Sequence, residues 1–343
     1  MRVAVIGATG AVGREMTRIL EERDFPVEDF VPLASARSVG MRVIFRGREH
    51  RVQELTVEAC RDIDVAFVSA GGSVSRAFLP EIAANGTLCI DNSSAFRMDP
   101  EVPLSVPDVN PEALEGWPRP GIIAVPNCTT VAVVLAVAPL HRAARCTSLV
   151  LSSYQAVSGA GHKAIAELLD QVEKLRGDEE ALAHPDVDAL PSGPVMGRTI
   201  AYNVVPRIGE FRSSGYTGEE EKMMAEPRKI MRAPDLSIVA TSVRVPVLVG
   251  HAVSILAEFS RPISVEEARD VLAAAPGVEL RDDPERDVFP TSLDAAGGDG
   301  AVVGRIRHLP GRDDALALFS CADNLRMGAA LDAIQIAEHL YKR

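Results

Sequence analysis

The run Val3-Ala4-Val5-Ile6-Gly7-Ala8-Thr9-Gly10-Ala11-Val12-Gly13 reads as a buried strand, a glycine turn and the start of a helix. Four consecutive apolar residues suit a strand covered on both faces. Residues 12–22 then carry apolar side chains at helical spacing. Glycines between the two allow a sharp turn and close approach of an anionic group to the helix N-terminus, whose free amides and dipole favour negative charge. Gly7, Thr9, Gly10, Ala11, Val12 and Gly13 are therefore candidates to hold a dinucleotide pyrophosphate. The spacing is GxxGxxG, and the alternative is a tight strand–helix turn without a ligand.

Working outward, short β-rich runs at residues 30–33, 65–69, 88–91 and 122–125 alternate with helical segments at 74–84 and 130–143. Strands alternating with helices imply a parallel sheet with right-handed crossovers. Past about residue 145 the texture changes to an expected α+β unit of mainly antiparallel strands. It has runs at 149–154, 239–249 and 253–259, a pair formed by 302–308 and 315–321, and a helix near 163–175. The Pro- and Gly-rich residues 184–197 read as a surface loop or arm. Residues 325–340 read as one amphipathic helix that packs back on the first unit.

The end of the second strand bears on cofactor choice. An NAD enzyme usually places an acidic residue there for the ribose 2′-hydroxyl. This sequence has Ser35-Ala36-Arg37-Ser38, whose guanidinium and hydroxyls suit a 2′-phosphate, so NADP is expected. The alternative is a solvated loop arginine. The formal charge of -12 over 343 residues argues against a nucleic-acid groove or an anionic membrane surface as the partner. Five scattered cysteines without a CxxC pair read as reduced thiols rather than a disulfide frame or a metal site. The apolar run near residue 3 is too short for a signal peptide, and the longest apolar stretch, 131–140, is too short to span a bilayer. A cytoplasmic protein is expected.

Among the cysteines, Cys128 stands out. Pro126-Asn127-Cys128-Thr129-Thr130 follows a β run and opens an apolar helix. A thiol there faces the positive end of the helix dipole, which lowers its pKa, and Thr129 or Thr130 is expected to cap the free amides. A nucleophilic thiol needs a base, and His251, after Gly250 at the expected end of a strand that also carries Arg244, is the candidate.

Taken together, these segments resemble the aspartate-semialdehyde dehydrogenase family over essentially the whole chain. The matching blocks are GATGAVG, the Ser35–Ser38 turn, Asp91-Asn92-Ser93-Ser94-Ala95-Phe96-Arg97 and PNCTT. They continue with Tyr154-Gln155-Ala156-Val157-Ser158-Gly159-Ala160-Gly161, Gly215-Tyr216-Thr217-Gly218-Glu219-Glu220-Glu221-Lys222, RVPV-x-x-GH and Asp323-Asn324-Leu325-Arg326-Met327-Gly328. The resemblance implies a Rossmann-type NADP-binding domain, residues 1–130 with 322–343, and an α+β catalytic and dimerisation domain of the semialdehyde dehydrogenase type, residues 131–321. It implies NADPH-dependent reduction of L-aspartyl 4-phosphate to L-aspartate 4-semialdehyde through a cysteine thioester, in the synthesis of lysine, threonine, methionine and diaminopimelate. A homodimer is implied, or a homotetramer.

By the same resemblance Cys128 is the nucleophile, His251 the general acid/base, and Gln155 orients the acyl intermediate. Arg244 holds the substrate carboxylate, Glu219 its ammonium, and Arg97, Asn127 and Lys222 the phosphate. Ser35, Arg37, Ser38, Ser158, Gly159 and Asn324 join the glycine loop at the cofactor. The sequence departs from the family pattern at Ala252, where serine is expected, at Glu221, where methionine or tryptophan is expected, and at Ala225-Glu226-Pro227, where Asn-Glu-Thr is common. Glu221 reads as a solvated neighbour. These departures leave room for a related acyl-phosphate reductase, such as one acting on N-acetyl-glutamyl phosphate. A silent NADP-binding homologue is disfavoured, because Cys128, Gln155, Arg244 and His251 are all present.

Overall fold

The computed structural model describes residues 1–117 and 119–341. The last two residues of the expected cofactor domain, 342 and 343, lie outside the described residues. The first half alternates β1 (Arg2–Ile6), α1 (Ala11–Glu22), β2 (Asp29–Ala34), β3 (Arg42–Phe45), β4 (Arg48–Arg51), β5 (Gln53–Glu54), β6 (Val65–Val68), α2 (Gly72–Ala84), β7 (Leu88–Asp91) and β8 (Gly121–Ala124). The second half holds α3 (Cys128–Ala144), β9 (Cys146–Gln155), α4 (His162–Lys174), α5 (Glu179–Ala183), α6 (Gly218–Ile230), β10 (Ser237–Arg244), β11 (His251–Phe259), α7 (Val265–Ala273), β12 (Val278–Leu280), α8 (Ser292–Ala295), β13 (Ala301–His308), β14 (Ala315–Ala322) and α9 (Leu331–Tyr341).

The parallel sheet has the order β5-β2-β1-β6-β7-β8, so the expected α/β reading of the first half holds. Apart from Arg2 at its edge, its central strands β1 and β6 are apolar and buried, as helices on both faces require. A hairpin not anticipated from the sequence, β3–β4, turns at Arg46-Gly47, both with positive φ. That is the geometry two-residue hairpin turns demand. Phe45 from the hairpin stacks on Phe30 at 4.5 Å.

The second sheet has the order β10-β9-β11-β14-β13-β12 and is mainly antiparallel, as expected, but with parallel pairs at both edges. The three central pairs are antiparallel, including the expected pairing of β13 with β14, but β9–β10 and β12–β13 are parallel. The reason lies in connection length. Residues 156–236 and 281–300 are long enough for crossovers, which parallel neighbours need. The strand expected over 239–249 ends at Arg244, because Pro246 lacks an amide proton. Residues 245–250 instead bond to the 155–158 loop, through Val245 to Gln155 and from Val157 and Ser158 to Val247 and Leu248. His251 thus opens β11 rather than closing the preceding strand.

α3 is apolar all round and buried along most of its length, as expected of a helix covered on every side. It packs on β9, β11 and β14 and beside α6 and α7. The expected helix over 325–340 is broken: Met327 is extended and Gly328 has φ +74, and α9 starts only at Leu331. A Cβ added at Gly328 would lie 2.2 Å from Cys128 Cα, so the break lets this segment slide under the first residue of α3. The Gly328 amide donates to Asp332 Oδ2, and Asp332 is fully buried.

Burial, opposed by the Gly328 amide and reinforced by Asp108, pushes the Asp332 carboxyl up to about 7. In the unfolded chain it ionises near 3.9. Between those values the unfolded state is charged while the folded state stays neutral, so stability falls as pH rises from about 4 to about 7. Asp332→Asn keeps an acceptor for Gly328 and removes this loss. We expect the variant to match the parent in urea unfolding at pH 4.5 and to exceed it by a few kcal/mol at pH 8; equal stability at pH 8 would rule out a neutral Asp332.

Candidate active site

The crevice runs along the C-terminal ends of the parallel strands. After β1, Gly7 (φ +89) comes so close to β6 that an added Cβ would lie 2.2 Å from the Ser69 carbonyl oxygen. Ala11, Val12 and Gly13 form the first turn of α1, whose N-cap, Gly10, offers no side chain to their amides. Those amides are left for an anion. Thr9 Oγ1 lies 3.3 Å from Ser38 Oγ. Ser35 and Arg37 line a cavity of about 490 Å³ with Gly7, Thr9, Gly10, Leu55, Val74 and Phe78. Arg37 is exposed and has no ion pair among the described residues. The 35–38 turn contains no acid, but Glu54, from β5, reaches the same cavity. Uncapped amides, an unpaired guanidinium and an apolar-walled cavity fit a phosphorylated adenine dinucleotide.

The thiol sits farther along the same edge. Asn127, not a threonine, caps α3: its Oδ1 accepts from the amides of Thr129 (2.9 Å) and Thr130 (3.3 Å). The Thr129 and Thr130 hydroxyls are buried without a partner among the described residues. Asn127 Nδ2 donates to Glu219 (2.9 Å), and its backbone amide donates to Glu226 (2.7 Å). Glu219 also accepts from Gln155 (3.2 Å) and Lys222 (3.1 Å). Burial pushes Glu219 up, but Lys222, Asn127 and Gln155 together outweigh it and hold the carboxyl below its usual range. The two residues expected to serve separate substrate groups, Glu219 and Lys222, are thus paired with each other.

The expected lowering of the Cys128 pKa is reversed. Desolvation, and next Glu219, push the thiol up to about 11, against the pull of Arg97, Arg244 and Lys222. The helix end is positive but dry, and dryness wins. His251 is fully buried; its Nδ1 accepts from the Ala156 amide (3.1 Å), while Nε2 has no partner among the described residues. An N–H pointing at Nδ1 fixes the proton of neutral imidazole on Nε2 and opposes a second proton. Burial and then Arg244 lower His251 to about 3. Arg244 donates to the Ala156 carbonyl (2.6 Å), and among the described residues no carboxylate lies within ion-pair distance of it. A Cβ on Gly159 would lie 3.0 Å from Arg244 Nη1 and 3.1 Å from His251 Nε2, so this glycine of the crevice packs directly against both side chains.

One cavity of about 190 Å³ brings the thiol and cofactor sets together. Arg97, Asn127 and Cys128 line it alongside Val12, Ser158, Gly159 and Asn324. Ser158 and Asn324 are bonded to each other at 2.9 and 3.1 Å, and the Gly250 amide donates to Asn324 (3.0 Å), which fixes the turn before His251.

Two family models match, "Semialdehyde dehydrogenase, NAD binding domain" over residues 2–117 and "Semialdehyde dehydrogenase, dimerisation domain" over residues 137–327. Aspartate-semialdehyde dehydrogenase of Aquifex aeolicus is 46% identical over 99% of this chain and 98% of its own length. That of Bacillus subtilis is 43% identical over 100% and 98%. The chain belongs to the aspartate-semialdehyde dehydrogenase family. Among solved structures, aspartate semialdehyde dehydrogenase II from Vibrio cholerae, also solved in complex with ASA, superposes with a TM-score of 0.90 at 39% identity, covering 99% of this chain and 98% of that one. The enzyme from Candida albicans, solved with NADP, superposes with a TM-score of 0.72 at 26% identity, covering 99% and 98%.

Of the departures from the aspartate-semialdehyde dehydrogenase pattern, Glu221 and Ala252 are not part of the lining of the thiol cavity. Glu221 is half-exposed and meets Ser214 (3.1 Å) and Arg212 (3.7 Å), as a solvated neighbour would. Ala252 packs with Ala295, Val302 and Cys321 in a small apolar cluster. Sequence reasoning assigned no role to Glu226. It is buried, and it binds Arg97 Nη1 (3.0 Å) as well as the Asn127 amide. The available signal was an acid directly after the apolar run Met223-Met224-Ala225.

Two outcomes are expected. Because the resting thiol is protonated, alkylation of Cys128 by iodoacetamide in the ligand-free protein should quicken about tenfold per pH unit from pH 7 to about 10; a plateau below pH 9 would show an activated thiolate. Glu226→Gln keeps the shape but loses the charge on Arg97, and should raise the KM for phosphate about tenfold while sparing cofactor affinity. An unchanged phosphate KM would mean that Glu226 serves the fold alone.

Proposed function

We propose that this chain catalyses the reversible NADPH-dependent reduction of L-aspartyl 4-phosphate to L-aspartate 4-semialdehyde and phosphate through a thioester on Cys128. The observation that carries the reading is the single cavity where the Cys128 thiol meets Arg97 and the Ser158–Asn324 pair, with an unpaired Arg244 behind Gly159. The sulfur bonds to the acyl carbon as the carbon–oxygen bond to phosphate breaks, and the thiol proton leaves with the phosphate. The bound cofactor supplies the hydride that reduces the acyl carbon. When the thiohemiacetal oxyanion reforms its carbonyl, the carbon–sulfur bond breaks, and the thiolate takes a proton from water.

Each charged group then has a task. Arg244 holds the substrate α-carboxylate and Glu219 its ammonium. Arg97, Lys222 and the remaining N–H of Asn127 hold the phosphate. Gln155 orients the acyl group. His251 enters as a neutral donor: its Nε2–H and the Cys128 amide stabilise the oxyanion, the acid half of the acid/base role implied by resemblance. The same reading takes residues 1–130 with 322–343 as the cofactor domain and 131–321 as the catalytic and dimerisation domain. It also takes the protein as a cytoplasmic homodimer working in amino-acid biosynthesis. The open face of the second sheet supports the dimer, since Val239, Val150 and Leu256 line up in register there and Tyr154 lies beside Phe319.

The test is aldehyde- and phosphate-dependent reduction of NADP+. Aspartate semialdehyde should exceed N-acetylglutamate semialdehyde by roughly a hundredfold in kcat/KM, because only the former offers an ammonium to Glu219. Arg244→Lys should lose about as much although charge is kept, since an ammonium does not reproduce the planar fork. A preference for the acetylated aldehyde would refute the substrate.

A further inference from the structure

We propose that the Asn92 side chain seats the nicotinamide carboxamide of the cofactor and thereby sets the ring against Cys128. Asn92 follows β7 and lines the same cavity as Cys128, Ser158 and Asn324. Both its side-chain nitrogen and its side-chain oxygen are buried, and neither has a partner among the described residues. An unmet donor and an unmet acceptor on one buried group are costly, so such a pair points to a ligand that meets both. Its backbone is held firmly: the amide donates to the Val68 carbonyl (2.9 Å), and the carbonyl accepts from Arg97 (2.7 Å).

The chemistry of the pair selects the ligand. The fully ionised phosphoryl group of an acyl phosphate offers only acceptors and would leave Asn92 Oδ1 unmet. A carboxamide presents a donor and an acceptor side by side, the complement of another carboxamide. Of the other polar side chains of the cavity, Ser158 is engaged with Asn324, Asn127 with Glu219 and the α3 amides, and Arg97 with Glu226 and two carbonyls, while Ser69 offers a single hydroxyl oxygen rather than a side-by-side donor and acceptor. Strand order agrees. Along the sheet edge come the ends of β2 (Ser35, Arg37), β1 (the glycine turn), β6 (Ser69), β7 (Asn92) and β8, before Cys128. A dinucleotide with its 2′-phosphate at Arg37 and its pyrophosphate at the α1 N-terminus reaches Asn92 two strands on, about 10 Å away, beside the thiol.

The inference rests on the NADP reading above, and equilibrium binding separates the two. Wild-type protein and Asn92→Ala are titrated calorimetrically with NADP+ and with 2′-phospho-ADP-ribose, the same ligand without nicotinamide. Asn92→Ala should bind NADP+ about tenfold more weakly and 2′-phospho-ADP-ribose within twofold of wild type. Should Asn92→Ala fail to fold, Asn92→Ser, which keeps the backbone bonds but is too short to meet a carboxamide, is read by the same ratio. Equal losses for both ligands, or none for either, would overturn the assignment to nicotinamide. Wild-type protein that binds neither ligand would overturn the NADP reading and this inference with it.

Discussion

The first amides of α3 have no partner within the helix, and that end of the helix is buried. Asn127 resolves this by turning its carboxamide oxygen onto the amides of Thr129 and Thr130. Doing so leaves its own amide groups unmet in a dry place, and two carboxylates of α6 take them, Glu226 the backbone N–H and Glu219 the side-chain N–H. Two buried carboxylates in turn need cations, which are Arg97 from the loop after β7 and Lys222 one turn along α6. One cap therefore propagates into a network joining both sheets. The position of Cys128 is set by that network rather than by the helix alone.

The charge balance of this network prepares the site for its ligand. Arg97, Lys222 and Arg244 face Glu219 and Glu226, and His251 stays neutral. The cation left over is Arg244, and burial lowers its pKa while Glu219 and Cys128 raise it. A buried guanidinium with one backbone bond and, among the described residues, no carboxylate at ion-pair distance is suited to receive an anion. Lys229 stays outside this balance, because its ammonium is bound by the carbonyls of Arg97, Asp99 and Val102 and serves to pin the loop that presents Arg97.

Local signals were legible in the sequence where one segment carries the whole cause. The β1–α1 turn, the alternation of the first half, the pairing of β13 with β14 and the start of α3 at the thiol all belong to this kind. What was not legible depends on partners distant in the chain. Asn127 rather than Thr129 caps α3 because Glu226, about a hundred residues away, holds its backbone. The helix expected over 325–340 breaks because Gly328 must pass beneath Cys128, a requirement that no periodicity within the segment announces. The parallel edges of the second sheet follow from connection lengths, which composition alone suggested only as loop.

Burial also decides how the thiol and the imidazole divide the work. With the thiol pushed up to about 11 and His251 down to about 3, proton transfer from sulfur to nitrogen is strongly uphill in the resting site. The Ala156 amide adds a geometric bar, since an imidazolium would set two N–H groups against each other at Nδ1. A resting thiolate–imidazolium pair is therefore disfavoured on both counts. In the proposed reaction, reactivity appears with the substrate: a bond forming at sulfur acidifies its proton while the departing phosphate oxygen gains basicity, and His251 would meet the oxyanion as a donor that needs no prior charge. The dry site that raises the thiol pKa also strengthens that donor, so a single feature lowers resting reactivity and favours the transition state.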